Sequence, residues 1–382
     1  MLWFFMVFIL VYGGLNAYVL ARIQHALRLG HWPVLLLATV LFILLATPLT
    51  LRIIARPGLF EIARVAAFVG YLWFAVVLWF CFFGFVIDGV NGLAGLARQG
   101  GPLIAPRQGL ALIVVGVLTL LLVAVRENRQ LRVERLAIGL PSQSAIAAPL
   151  RVAQISDLHY GLVCGRLYLT QAVKEIEALK PDLLVATGDM LDVTGELAQP
   201  LVAAFAALKP PLGKYAVLGN HEFYIGVDAS VSLLEQAGFR VLRQESDEID
   251  IHGIKLRIAG VDDPAGKHTG QASLFDEEAV LPSPKSRTEF VLLLKHQPQV
   301  EPSSRGLFDL QLSGHTHGGQ IFPFQLGVKL VNDYFRGLYA IPEGGSIYIS
   351  RGTGSWGPSL RLLAPREITL FQISLPAPSG AP

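Results

Sequence analysis

Charge is almost missing from the first third of this 382-residue chain. The first lysine is Lys174, and before Arg126 the only acidic residues are Glu61 and Asp88. A hydrophobic content of 52%, high for a soluble protein, is concentrated in the same stretch, which argues against a soluble domain there. Cysteine is scarce as well. Cys81 lies in an apolar run and Cys164 in the polar remainder, so a disulfide scaffold is excluded and neither has metal-ligand spacing. The formal net charge of +2 gives no electrostatic reason to expect a nucleic-acid partner. The opening MLWFFMVFILVYGG lacks a basic n-region and a clear small-residue cleavage site. It therefore reads as an uncleaved span rather than a secretory signal.

Four long apolar runs stand in its place, at about residues 2–20, 32–54, 65–87 and 109–125. Each is near the ~20 residues that cross a bilayer core. One such run could be the core helix of a soluble protein; four in succession predict an α-helical membrane domain over residues 1–126, with the lipid bilayer as its partner. The third run carries Tyr71, Trp73 and Trp79, aromatics that anchor at interfaces or pack between spans. His25 and His31 are expected in the loop between the first two spans. Arg52, Arg56 and Arg64 share a side with Arg126, Arg129, Arg132 and Arg135, whereas the other two loops carry two arginines each. The positive-inside rule then puts both termini and the polar domain in the cytoplasm. Residues 129–140 alternate polar and apolar, so part of this stretch reads as a strand.

From there on, short apolar runs alternate with helical stretches. Strands are expected at 150–156, 182–187, 214–218, 255–261, 290–295, 308–312, 346–350 and 367–373, and helices at 166–179, 196–208 and 228–236. The alternation predicts an α/β layered domain over residues 127–374. Residues 375–382 have the composition of a disordered tail.

The polar residues fall in one place relative to these strands. Asp157 and His159 follow the first strand, Asp189 the second, Asn220 and His221 the third, His296 the fifth, and His315 and His317 the sixth. Sites in α/β sheets are built at such strand ends. Residues two apart in extended chain point to the same side, so Asp157 and His159 can converge. Gly161, Gly188, Gly219, Gly314 and Gly318 stand beside them. Oxygen and imidazole donors without thiolate suit Mn, Fe, Zn or Ni. The set is too large for one tetrahedral ion, while two ions sharing a carboxylate use it fully and can clamp a phosphoryl group. An isolated Asp-x-His or Gly-Asp is usually a turn or cap; the ordered set is what points to chemistry. His252 and His268 lie in no such frame and are expected to be solvated.

The ordered pieces Asp157-x-His159, Gly188-Asp189, Gly219-Asn220-His221-Glu222, His296 and Gly314-His315-x-His317 resemble the calcineurin-like metallophosphoesterase superfamily. The resemblance spans residues 129–374 and implies a four-layer αββα sandwich with two mixed sheets. It implies two divalent ions, Mn first, with Fe or Zn as alternatives. One would be held by Asp157, His159 and His317, the other by Asn220, His296 and His315, with Asp189 bridging. His221 would be the catalytic residue, contacting the phosphate and either protonating the leaving oxygen or stabilising its charge. The stretch from His315 to Ile321 and the late Ser350–Arg361 segment resemble a bacterial membrane-associated branch, which implies a multi-pass protein of the bacterial inner membrane. Some members of that branch act on phosphorylated lipids, including the pyrophosphate of UDP-2,3-diacylglucosamine. Trp356 and Arg361 are candidates for the substrate entrance, against core packing and a surface salt bridge as the plainer alternatives. The expected function is hydrolysis of a phosphoester or pyrophosphate, on a lipid-linked substrate, with soluble nucleotides or small phosphoesters as the alternative.

Overall fold

The computed structural model describes residues 2–54, 58–97, 102–139, 149–251, 253–271, 275–282, 285 and 289–375. The chain divides into two compact units, Met1–Asn128 with Gly357–Leu362, and Arg129–Trp356 with Leu363–Pro382.

The first unit is built on α1 (Leu2–Leu27), α2 (His31–Ile54), α3 (Phe60–Ala97) and α4 (Pro106–Asn128). Apolar helices of this kind satisfy their own backbone groups. Thr39, Thr47 and Thr119 hide their hydroxyls by donating to the carbonyl one turn earlier, at 2.8–2.9 Å. Asp88, one of the two early acids, is paired: it accepts from Arg22 at 2.5 Å and from the Tyr18 hydroxyl at 2.6 Å. Trp73 Nε1 donates to Asn16 Oδ1 at 2.9 Å, a second polar link between α3 and α1.

Among the described residues, two helices are long and apolar enough to cross a membrane, Phe60–Leu96 and Pro106–Asn128, rather than the expected four. In α2 the described apolar stretch is His31–Thr47. At ~1.5 Å per residue it falls short of a ~30 Å hydrocarbon core. In α1 several side chains lie outside the described residues. Helix α3 overruns the expected span at both ends, because the helix continues through Asp88 and the small residues up to Ala97. His25 and His31 are not loop residues: the first sits in the last turn of α1 and the second begins α2. Arg361 also departs from expectation. It is fully buried, and its backbone N–H donates to the Ala124 carbonyl at 3.4 Å.

The second unit is an α/β domain with two six-stranded mixed sheets. The first sheet runs β1 (Leu131–Gly139), β12 (Arg366–Ser374), β2 (Leu150–Ile155), β3 (Leu183–Thr187), β4 (Lys214–Val217), β5 (Arg240–Val241). The second runs β10 (Gly337–Ala340), β11 (Ser346–Ile349), β9 (Leu310–Ser313), β8 (Glu289–Leu294), β7 (Ile254–Gly260), β6 (Glu245–Ile251). Strands β2, β3, β4 and β5 are mutually parallel, as are β7, β8, β9 and β11. Their alternation fixes the layers. Val152, Val185 and Val217 face Leu256, Ile258, Leu292 and Leu312 in the core between the sheets. Ala153, Leu184 and Ala216 point the other way, onto α5 (Arg166–Leu179), α6 (Gln199–Ala207) and α8 (Val227–Gln236).

The expected fourth layer is thin. Among the described residues, the outer face of the second sheet is covered by Phe275, Val280, Leu281 and Ile341 from connecting segments. The alternation over residues 129–140 is strand β1, parallel to β12 in register Leu131 to Arg366. Strands β5, β6 and β10 were not expected, nor were the short helices α7 (Asn220–Ile225), α9 (Gly266–Thr269) and α10 (Phe324–Val331). His268 is exposed. His252 and residues 376–382 of the expected tail lie outside the described residues.

Candidate metal centre

Parallel strands bring their carboxyl ends to one edge, and here they carry the polar residues with them. Asp157 stands two residues past β2, Asp189 two past β3, Asn220 three past β4, His296 two past β8 and His315 two past β9. The loops stay hydrogen-bonded after the strands end. Asp157 N donates to Gly188 O at 3.0 Å, His159 N to Asp189 O at 2.9 Å and Gly314 N to His296 O at 2.9 Å. Asp157, His159, Asp189, His315 and His317 all have positive φ, between 48° and 72°. Non-glycine residues held there cost energy and cluster where function needs them. At Gly314 an added Cβ would fall on Ser156 Oγ and Asp157 Oδ2, so only glycine lets this loop close on the carboxylate.

All seven candidate ligands come together. Donor atoms of Asp157, His159 and His317 lie within 4.8 Å of one another, as do those of Asp157, Asp189 and His296. Asp189 Oδ2 stands 3.6 Å from His159 Nε2 and 3.3 Å from His296 Nε2, between the two halves. His315 Nδ1 lies 3.1 Å from Asn220 Oδ1 and 3.3 Å from His296 Nε2. His317 Nε2 is 3.4 Å from Asp157 Oδ1.

Tautomers follow from what each ring's other nitrogen does. His296 Nδ1 donates to the Thr187 carbonyl at 2.8 Å, which can only accept, while Nε2 faces Asp189. Burial opposes charge on this ring, but Asp189 raises its pKa well above the ordinary value, so a metal at Nε2 displaces a proton. His159 Nδ1 meets Asp192 Oδ1 at 3.1 Å and donates to it. Its Nε2 faces His317 Nε2 at 3.1 Å, a contact that a proton or a cation can bridge. Imidazole nitrogens converging beside buried carboxylates offer lone pairs to a cation once their protons leave. The donor set thus fits a dinuclear divalent metal site, with oxygen and imidazole ligands only.

Two residues that the sequence reading gave no role hold this arrangement. Glu222, fully buried, accepts from the backbone N–H groups of Asp189 (2.9 Å), Met190 (2.8 Å), Leu191 (3.0 Å) and Gly219 (2.8 Å). One carboxylate therefore clamps the loop after β3 to the loop after β4. Burial and the neighbouring Asp189 push the Glu222 carboxyl up to about 7, against those donors.

Asp192 is the other. Its Oδ1 accepts from His221 Nδ1 at 2.6 Å as well as from His159. Burial opposes its charge, yet His159 and His221 hold it well below the usual carboxylate range. Asp189 is likewise held well below that range, burial being outweighed by His296 and His221. Its Oδ1 accepts from His221 N at 2.8 Å. His221 itself resists burial through Asp189 and Asp192, which push it up to about 9. A carboxylate three residues after Asp189 was the only sequence signal for Asp192.

The rim of the site is aromatic. Tyr224 and Trp356, both half exposed, stand 5.4 and 6.4 Å from the His221 ring between centroids. Trp356 is held by its backbone: its carbonyl accepts from Gln320 Nε2 at 2.8 Å and its N–H donates to Gln320 Oε1 at 2.9 Å.

Residues 150–319 match the calcineurin-like phosphoesterase family model. The chain is 40% identical over 251 residues to an uncharacterized metallophosphoesterase of Aquifex aeolicus, covering 65% of this chain and 93% of that one. It is 32% identical to an uncharacterized metallophosphoesterase of Campylobacter jejuni, over 59% of each chain. It is 34% identical to a Bos taurus protein named transmembrane protein with metallophosphoesterase domain, over 58% of this chain and 52% of that one.

Proposed function

We propose that this chain, which belongs to the calcineurin-like metallophosphoesterase family, is a membrane-embedded hydrolase of lipid-linked phosphoesters or pyrophosphates. That it is a metal-dependent phosphoesterase follows from the family and the donor set. The lipid-linked substrate is our reading. It is carried by one observation: the complete donor set shares a chain with two helices of bilayer length. Tethering of that kind concentrates the site where acylated substrates are. The UDP-diacylglucosamine type of substrate, a pyrophosphate with a nucleotide on one side and acyl chains on the other, is the specific candidate. We place the protein as a multi-pass protein of a bacterial inner membrane with its catalytic unit in the cytoplasm, on the arginine asymmetry of its loops.

In this reading Asp157, His159 and His317 hold one ion, Asn220, His296 and His315 the other, and Asp189 both. Bound divalent ions, Mn by preference, would draw charge from the phosphoryl oxygens and supply an activated water. The chain's own residues do the rest. His221 keeps its Nδ1 on Asp192, which leaves Nε2 to carry the proton toward the leaving oxygen. Asp192 orients His159 and His221 through a single oxygen. Tyr224 and Trp356 offer aromatic surface to the part of the substrate beyond the phosphate.

The full chain, purified in detergent with Mn, is to be assayed on phosphorylated lipids and soluble nucleotides side by side. Release of phosphate or a nucleoside monophosphate from the lipids supports the reading. Turnover of soluble nucleotides alone, undiminished after deletion of the residues before Arg126, would reject its lipid part.

A further inference from the structure

Helix α10 is built inside out. Gln325 is buried, while Phe324, Leu326, Leu330 and Val331 are exposed, the last two by 86% and 81%. Successive residues turn by about 100° around a helix. Counted from Gln325, Leu326, Leu330, Gly327, Val331 and Phe324 fill the opposite arc, from about 100° to about 260°. A helix facing water presents the reverse pattern. These four side chains are also a large part of the exposed apolar surface of the catalytic unit, so this is a patch and not scatter.

We propose that α10 lies in the surface of the lipid bilayer, with this apolar arc in the acyl boundary. Three features favour a membrane over a protein partner. No acidic residue occurs on the helix, which carries exposed Lys329; just past it, exposed Asp333 is followed by Arg336. Apolar surface with a basic edge is what an anionic bilayer binds. The chain also carries helices of bilayer length, so a membrane is at hand. Finally, the helix is fixed to the chemistry: an added Cβ on Gly319, two residues after His317, would strike the Gln325 backbone. Docking α10 therefore sets the height of the metal ligands above the lipid. The inference takes its bilayer from the membrane reading above and does not depend on the substrate.

The test uses the full chain reconstituted in phosphatidylcholine–phosphatidylglycerol vesicles. Cys81 and Cys164 are buried and stay unlabelled. A fluorescent label is placed at Leu330→Cys, at Val115→Cys on α4, or at the exposed Leu167→Cys on α5 as the aqueous reference. Quenching at position 330 by lipids with brominated acyl chains, well above that at 167, supports the proposal. Its loss when Leu326→Asp is added to the labelled chain supports it further. Quenching at 115 but not at 330, with 330 open to aqueous iodide, overturns the proposal and leaves the membrane reading standing. Quenching at 330 but not at 115 does the opposite. A label at 330 shielded from both quenchers means a protein covers the helix, and overturns the proposal too.

Discussion

His159 Nε2 and His317 Nε2 lie 3.1 Å apart, while His159 Nδ1 points at Asp192. A proton bridges the two nitrogens when no metal is bound, and a cation among the donors takes its place. Chelation should therefore destabilise the protein, since ligand binding to the fold alone adds to its stability. Thermal unfolding in detergent is expected at lower temperature after chelation and to recover with Mn. An unchanged transition would remove the reason for the arrangement.

His221 sits beside the ligands, a donor atom within 4.8 Å of those of His159 and Asp189, with its Nδ1 on Asp192. His221→Ala is expected to lower kcat by about 10²–10⁴-fold, the range for a lost general acid. Bound metal, measured by elemental analysis, should stay at the level of the unaltered chain. A variant that loses its metal along with its activity would make His221 a ligand instead.

Asp192 acts through two imidazoles. Asp192→Asn is expected to cost about 10–100-fold in activity, the usual effect of removing a partner of a metal-ligating histidine. It should also move the alkaline limb of the pH–rate profile to lower pH, because Asp192 is one of the carboxylates that raise His221. A lower rate with an unshifted profile would assign Asp192 to His159 alone.

In the chelated protein the same shift becomes a stability effect. The His221 pKa rises from 6.5 to about 9 on folding, so the folded state binds the proton more tightly than the unfolded state. The stabilisation is full below about pH 6.5 and is lost as pH rises through about 9. His221→Gln should flatten the fall in stability over that window.

Glu222→Ala would leave four buried N–H groups without an acceptor, at about 1–3 kcal/mol each. A large drop in unfolding temperature and a loss of bound metal are expected together. Metal retention at full stability would show that the two loops hold their places without the clamp.

What could be read in the sequence was whatever follows a buried parallel strand. Each of β2, β3, β4, β8 and β9 is mostly apolar and buried along nearly its whole length, so the polar residue just past its end stands out. Asp192 and Glu222 do not stand out, because their role lies in which loop they reach across to. Strand β6 escaped because its ESDEIDI reads as solvated chain and, among the described residues, it pairs with β7 alone at the sheet edge. Helix α10 escaped because its leucines turn outward. The four-span expectation counted apolar residues, and of the helices that result, α3 and α4 meet the bilayer length over their described residues.

The central claim is that this chain hydrolyses a lipid-linked phosphoester, and that Asp189 would be shared by the two divalent ions its donor set fits. Its most direct test is Mn-dependent turnover of such a lipid by the reconstituted chain and by Asp189→Asn, with bound metal measured in both. We expect two ions per unaltered chain, release of phosphate or a nucleoside monophosphate, and the loss of both in the variant. Full turnover by Asp189→Asn, or no turnover by a chain that holds two ions, would contradict the account.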